Sequence, residues 1–93
     1  MLLTEKIEQE REIFCFNVKW LRKQSGLSQK EMAHRLGIGV KSLAAVENGT
    51  IPRRMTIKIF FKIYDHFGVH PKDQLGKRLD EAILKETHTA FHA

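Results

Sequence analysis

Residues 26–49 read GLSQKEMAHRLGIGVKSLAAVENG, and this stretch decides the fold. Two short helical patterns meet across Gly37-Ile38-Gly39. Ser28 stands ahead of the first pattern and Glu31 three residues later, the spacing of a capping box. Met32, Ala33 and Leu36 share one side of that helix. Leu43 and Val46 share one side of the next, which covers roughly Val40 to Asn48. A turn this tight needs a residue that tolerates positive φ, and Gly37 supplies it. A close helix crossing needs a small side chain midway along the first helix, and Ala33 supplies that. Asn48-Gly49 follows a helical pattern, where the glycine suits a left-handed C-terminal cap. Met32, Leu36, Ile38, Leu43 and Val46 then converge on one core, while Val40, Lys41, Ala44, Ala45 and Asn48 share the opposite face.

Outward from this unit the pattern stays helical. Ile7, Phe14, Val18 and Leu21 form one stripe of a first helix, which starts at about Thr4 or Glu12 and ends at Gln24 before Ser25-Gly26. Downstream, Thr56 is placed to cap a fourth helix that carries Ile57, Phe60, Phe61, Tyr64 and Phe67 and stops at Gly68. Pro71 suits the first turn of a fifth helix, and Leu75, Leu79, Ala82 and Ile83 continue its stripe to about Glu86. The last residues, THTAFHA, look frayed. Trp20, Phe60, Phe61 and Phe67 have helical spacing and read as core. No sustained alternation of period two occurs, so the expected class is all-α.

Composition narrows the function classes. Ninety-three residues make one domain. The single cysteine, Cys15, rules out an internal disulfide, fits a reducing compartment such as the cytoplasm, and reads as a core thiol among Ile13, Phe14 and Phe16. No apolar run approaches a bilayer span, so no membrane partner is expected. The N-terminus turns acidic after three residues and does not read as a secretory signal. The formal net charge is +5, but residues 13–62 alone carry +8, against −2 before them and −1 after. Such a block is the electrostatic footprint of a polyanion binder. His88 and His92 lack acidic or cysteine partners, and His34, His66 and His70 are scattered, so no metal site is expected. With no glycine-rich phosphate loop, paired catalytic carboxylates or nucleophile elbow, neither an enzyme nor a cofactor is expected.

Leu21-Arg22 ahead of Gly26-Leu27-Ser28-Gln29, the 26–49 unit with its closing Glu47-Asn48-Gly49, and Phe67-Gly68-Val69 together resemble the lambda repressor-like, Cro/repressor-type helix-turn-helix family, also called the xenobiotic-response-element family. The likeness runs from about Phe14 to Leu75. It implies a five-helix all-α DNA-binding domain, here with an extended N-terminal or C-terminal helix. The second helix would lie across the DNA backbone and the third would enter the major groove. It implies a structural, partly buried ion pair between Arg22 and Glu47. Base contacts map onto Val40, Lys41 and Ala45, with Ser42 and Ala44 beside them. Lys41 would donate to guanine, and Val40 and Ala45 would pack on thymine methyls. Phosphate contacts fall to Asn48 and to Gln29, where the start of the second helix favours an anion. Arg53 and Arg54 in the following loop would flank the groove; Lys58 near the start of the fourth helix, and Lys19 and Lys23 on the first, are second-rank candidates. Relatives often carry glutamine or arginine where Val40 and Ala45 stand, so hydrogen-bond readout should be sparse here and shape and phosphate contacts more important.

These readings divide the chain into residues 1–12, an N-terminal extension or the start of helix one; residues 13–76, the helix-turn-helix domain; and residues 77–93, a C-terminal helical extension and frayed tail. The expected function is sequence-specific binding of a double-stranded DNA operator by a transcriptional repressor. The expected assembly is a homodimer, with the fifth helix supplying much of the interface. Two alternatives stand beside it: the antitoxin of a toxin–antitoxin pair, with a toxin as protein partner, and a protein-interaction module that has lost DNA binding.

Overall fold

In the computed structural model the chain is described for residues 3–53 and 55–81. The helices are α1 (Leu3–Gln24), α2 (Gln29–Leu36), α3 (Val40–Glu47), α4 (Lys58–Phe67) and α5 (Pro71–Gly76). Residues 79–81 are helical as well, and the described residues contain no strand. The fold is all-α, as the spacing predicts. α1 packs against α3 and α5, α2 against α3 and α4, and α4 against α5.

The core forms where apolar stripes face one another. Phe14, Cys15, Val18 and Leu21 of α1 meet Met32, Ala33 and Leu36 of α2, Leu43 and Val46 of α3, and Ile59 and Ile63 of α4. Leu43 and Val46 retain no exposed surface, and burying each contributes about 1.5–3 kcal/mol. The Cys15 thiol is part of this core, and burial pushes its pKa up despite the opposing pull of Arg11.

The α2–α3 turn follows its local sequence. Ser28 Oγ accepts the Glu31 N–H at 3.1 Å, and Glu31 Oε1 accepts the Ser28 N–H at 3.0 Å. Those bonds hold the Glu31 carboxyl below its ordinary range. Gly37, at φ 70°, closes α2, and the Ile38 N–H then reaches Ala33 O at 3.0 Å.

Four expectations need correction. First, α1 does extend to Leu3, but Ile7 is not part of the core: residues 4–9 are all exposed. At 1.5 Å per residue α1 is about 33 Å long, whereas helices of eight to ten residues reach only about 12–15 Å, so its first turns run past the other described helices. Second, Thr56 does not cap α4 with its side chain. Ile57 occupies the cap position in helical conformation, and the first turn is drawn in by the main chain, Ile59 N–H to Thr56 O at 3.3 Å and Phe60 N–H to Ile57 O at 3.0 Å. Third, Phe61 is exposed rather than core, while Phe60, Phe67 and Trp20 pack partly buried against the core. Ile59 and Ile63 are the α4 side chains that the core buries, and Phe61 lies on the far side of the helix from them.

Fourth, the fifth helix is not continuous. It ends at Gly76, and Lys77 is extended at φ −155° and ψ 150°. The cause lies sixty residues away. Asn17, buried on α1, donates through Nδ2 to Gln74 O and Lys77 O, both at 2.9 Å, and accepts the Leu79 N–H through Oδ1 at 2.9 Å. One amide satisfies the carbonyls that the helix end leaves open and the N–H that follows them. Leu79 still reaches the core. Ala82, Ile83 and the expected frayed tail lie outside the described residues.

Candidate nucleic-acid interface

Glu47, the last residue of α3, gathers three donors. Arg22 approaches it in a fork, Nε to Oε2 at 2.6 Å and Nη2 to Oε1 at 2.9 Å. Gln29 Nε2 adds a third bond to Oε1 at 3.2 Å. Arg22 also donates through Nη1 to Leu27 O at 3.1 Å. The carboxylate raises the guanidinium pKa above its ordinary value. The side chains are 16% and 4% exposed, so the pair sits at the edge of the core and is only partly wet. Helices α1, α2 and α3 are thereby joined at one point, the C-terminal end of α3.

That outer face is open. Val40 is 44% exposed, and Lys41 and Asn48 are exposed. Ala44 and Ala45 are half-buried between them, so the backbone of α3 lies close to the surface. Asn48 ends the helix with its N–H on Ala44 O and Ala45 O, and Gly49, at φ 95°, turns the chain away. Ser42 is half-buried and turned aside from this face. It lines a shallow cleft of about 200 Å³ with Pro52, Met55 and the Gly37–Gly39 turn.

The phosphate candidates are distributed unevenly. The Gln29 side chain is engaged by Glu47, so what the start of α2 offers an anion is main chain. The Ser28 and Glu31 N–H groups are taken by the capping box, which leaves those of Gln29 and Lys30. Arg53 is exposed in the loop after α3, and Lys58 is exposed at the first residue of α4. Arg54 lies outside the described residues. Lys19 and Lys23 are exposed on α1 beside the half-buried Phe16 and Trp20. The two acids of residues 13–62, Glu31 and Glu47, are both bound internally. The uncompensated charge of that segment is therefore cationic and outward.

Asn17 and Gln74 are the structurally important polar residues that sequence reasoning missed. Gln74 is buried and donates through Nε2 to Phe60 O at 2.9 Å and Val69 O at 2.8 Å, tying α5 to the first turn of α4 and to the loop that follows it; among the described residues its Oε1 has no partner. The available signal was an asparagine between Phe14 and Leu21 at a position the apolar stripe should occupy. Among the described residues no group of three or more His, Cys, Asp or Glu side chains could hold a metal ion, and no helix is long and apolar enough to cross a membrane.

No curated protein and no solved structure matches the chain. A helix-turn-helix family profile matches residues 18–74, more than half of the sequence. That match begins at the α1 core, spans the α2–α3 unit and ends at α5, the same residues that fold around the Glu47 junction. The chain belongs to the lambda repressor-like helix-turn-helix family of DNA-binding transcription regulators.

Proposed function

We propose that this chain binds double-stranded DNA sequence-specifically as a homodimer in the cytoplasm and represses transcription by occluding its operator. The observation that carries this reading is the outer face of α3: open at Val40, Lys41 and Asn48, of small cross-section at Ala44 and Ala45, and anchored at its C-terminal end by the Arg22–Glu47–Gln29 junction. A face of that shape suits the major groove. Lys41 is the side chain on it able to donate to guanine, and Val40 and Ala45 offer apolar contact to thymine methyls. The Gln29 and Lys30 N–H groups, Asn48, Arg53, Arg54 and Lys58 would hold phosphates on either flank.

A second reading is supported by the same face. Val40 is 44% exposed and Ala45 lies beside Lys41, which would also suit a protein surface. Selection from a random-duplex library separates the two. The DNA reading expects enrichment of a two-fold symmetric motif, relaxed at one position per half-site by Lys41→Ala. Recovery of unenriched sequence, with association indifferent to salt, would favour the protein-interaction module.

A further inference from the structure

We propose that α4 carries the surface through which two copies of this chain associate, an inference that rests on the homodimer reading and names its interface. Ile57, Phe61 and Tyr64 are 69%, 56% and 43% exposed. At spacings of four and three residues they form one stripe on the outer side of α4, turned away from the buried Ile59 and Ile63. Of the expected interface stripe, Leu75 and Leu79 pack in or against the core, and Ala82 and Ile83 lie outside the described residues.

Charge selects the occupant. Lys58 and Asp65 are both exposed and stand on the same flank of the stripe, two turns apart. Among the described residues neither has an ion-pair partner. When two copies of a helix pack antiparallel about a two-fold axis, the same flank of each is brought together. An axis passing between residues 61 and 62 sets Lys58 of one copy against Asp65 of the other, twice. In that register Tyr64 of one copy falls level with the gap between Ile57 and Phe61 of its mate, and the two Phe61 rings become neighbours. The His70 ring, 4.8 Å from that of Tyr64, steadies the end of the stripe. Apolar and ionic features thus satisfy one self-complementary arrangement, as an isologous interface requires. Three side chains cover much less than the roughly 800 Å² per partner of a stable complex. The association should therefore be weak in free solution and strengthened when both copies hold one duplex.

The test is sedimentation equilibrium of the full chain from low micromolar to near-millimolar concentration at low salt, with fold monitored by circular dichroism. The native chain should show a monomer–dimer equilibrium. Phe61→Glu should weaken it about tenfold or more. Lys58→Glu and Asp65→Lys should each weaken it about threefold, and the double reversal should restore it to within about twofold. A native chain that stays monomeric throughout, a Phe61→Glu dimer as tight as native, or a double reversal no better than the singles would overturn the proposal. The native chain and Phe61→Glu, which leaves the candidate phosphate contact Lys58 in place, are also titrated with a duplex. A monomer that still binds DNA in a salt-dependent way sinks the α4 surface and spares the DNA reading; a dimer broken by Phe61→Glu that ignores DNA does the reverse.

Discussion

Two polar junctions join α1 to the rest of the molecule, and they work differently. Near its C-terminus, Arg22 meets Glu47 as a charged fork at the rim of the core. One and a half turns earlier, Asn17 and Gln74 meet α5 as neutral amides that are each 1% exposed. A guanidinium only donates and a carboxylate only accepts, so the charged junction sets an orientation, that of α3. An amide does both. Asn17 can therefore serve two carbonyls and an N–H at once, and it decides where a helix ends and where the chain goes next. The first junction serves the candidate DNA surface; the second serves the fold.

Substitutions at the two junctions should separate these roles. The largest effect on stability is expected from Asn17→Leu, which strands Gln74 O, Lys77 O and the Leu79 N–H. Urea unfolding should show a loss of about 3 kcal/mol, and a loss below about 1 kcal/mol would mean that water replaces the amide. Glu47→Ala leaves Arg22 and Gln29 without their acceptor. Because Arg22 still touches solvent, the expected loss is smaller, about 2 kcal/mol. DNA affinity should fall further than stability does, as the anchor at the C-terminal end of α3 is gone. Replacing both partners, Arg22→Met with Glu47→Leu, should recover much of the stability.

The capping box lies between these junctions and gives a weaker handle. Ser28→Ala should cost about 1 kcal/mol. Its pH signature is more telling. The Glu31 pKa is depressed in the folded chain by its bonds to Ser28. Its contribution is thus present above the ordinary glutamate pKa and is lost as pH falls through the folded value. Ser28→Ala should flatten that acid-side slope, as measured by thermal unfolding across the acid range. The smallest stability effect is expected at the face the junctions support: Lys41→Ala should stay within about 0.5 kcal/mol of native. A larger loss would mean that Lys41 is structural and weaken its assignment to base readout.

What was legible in the sequence tracks the range of the interactions. The α2–α3 unit was readable because its determinants are local: Ser28 with Glu31, Gly37 at the turn, Leu43 with Val46. The break after Gly76 was not, because its cause is a side chain 57 to 62 residues away. Periodicity alone carries Leu75 into Leu79 and Ala82 without interruption. Phe61 was misplaced for a related reason. Its spacing puts it on an apolar stripe of α4 with Ile57 and Tyr64, but which side of α4 the core takes up depends on the helices opposite, and that side carries Ile59 and Ile63. At the candidate site, Val40 and Lys41 were legible from helix phase. The engagement of Gln29 with Glu47 was not, since a surface glutamine has many partners within reach and sequence does not choose among them.

The claim on which the functional account rests is that the open face of α3 and its cationic neighbours grip a duplex. The direct test is the affinity of the native chain for double-stranded DNA measured across a range of salt concentrations. Counterion release predicts a steep linear fall of log affinity with log salt, and Arg53→Ala should reduce the slope by about one unit. Failure to bind DNA at low ionic strength, or an affinity that salt leaves unchanged, would contradict it.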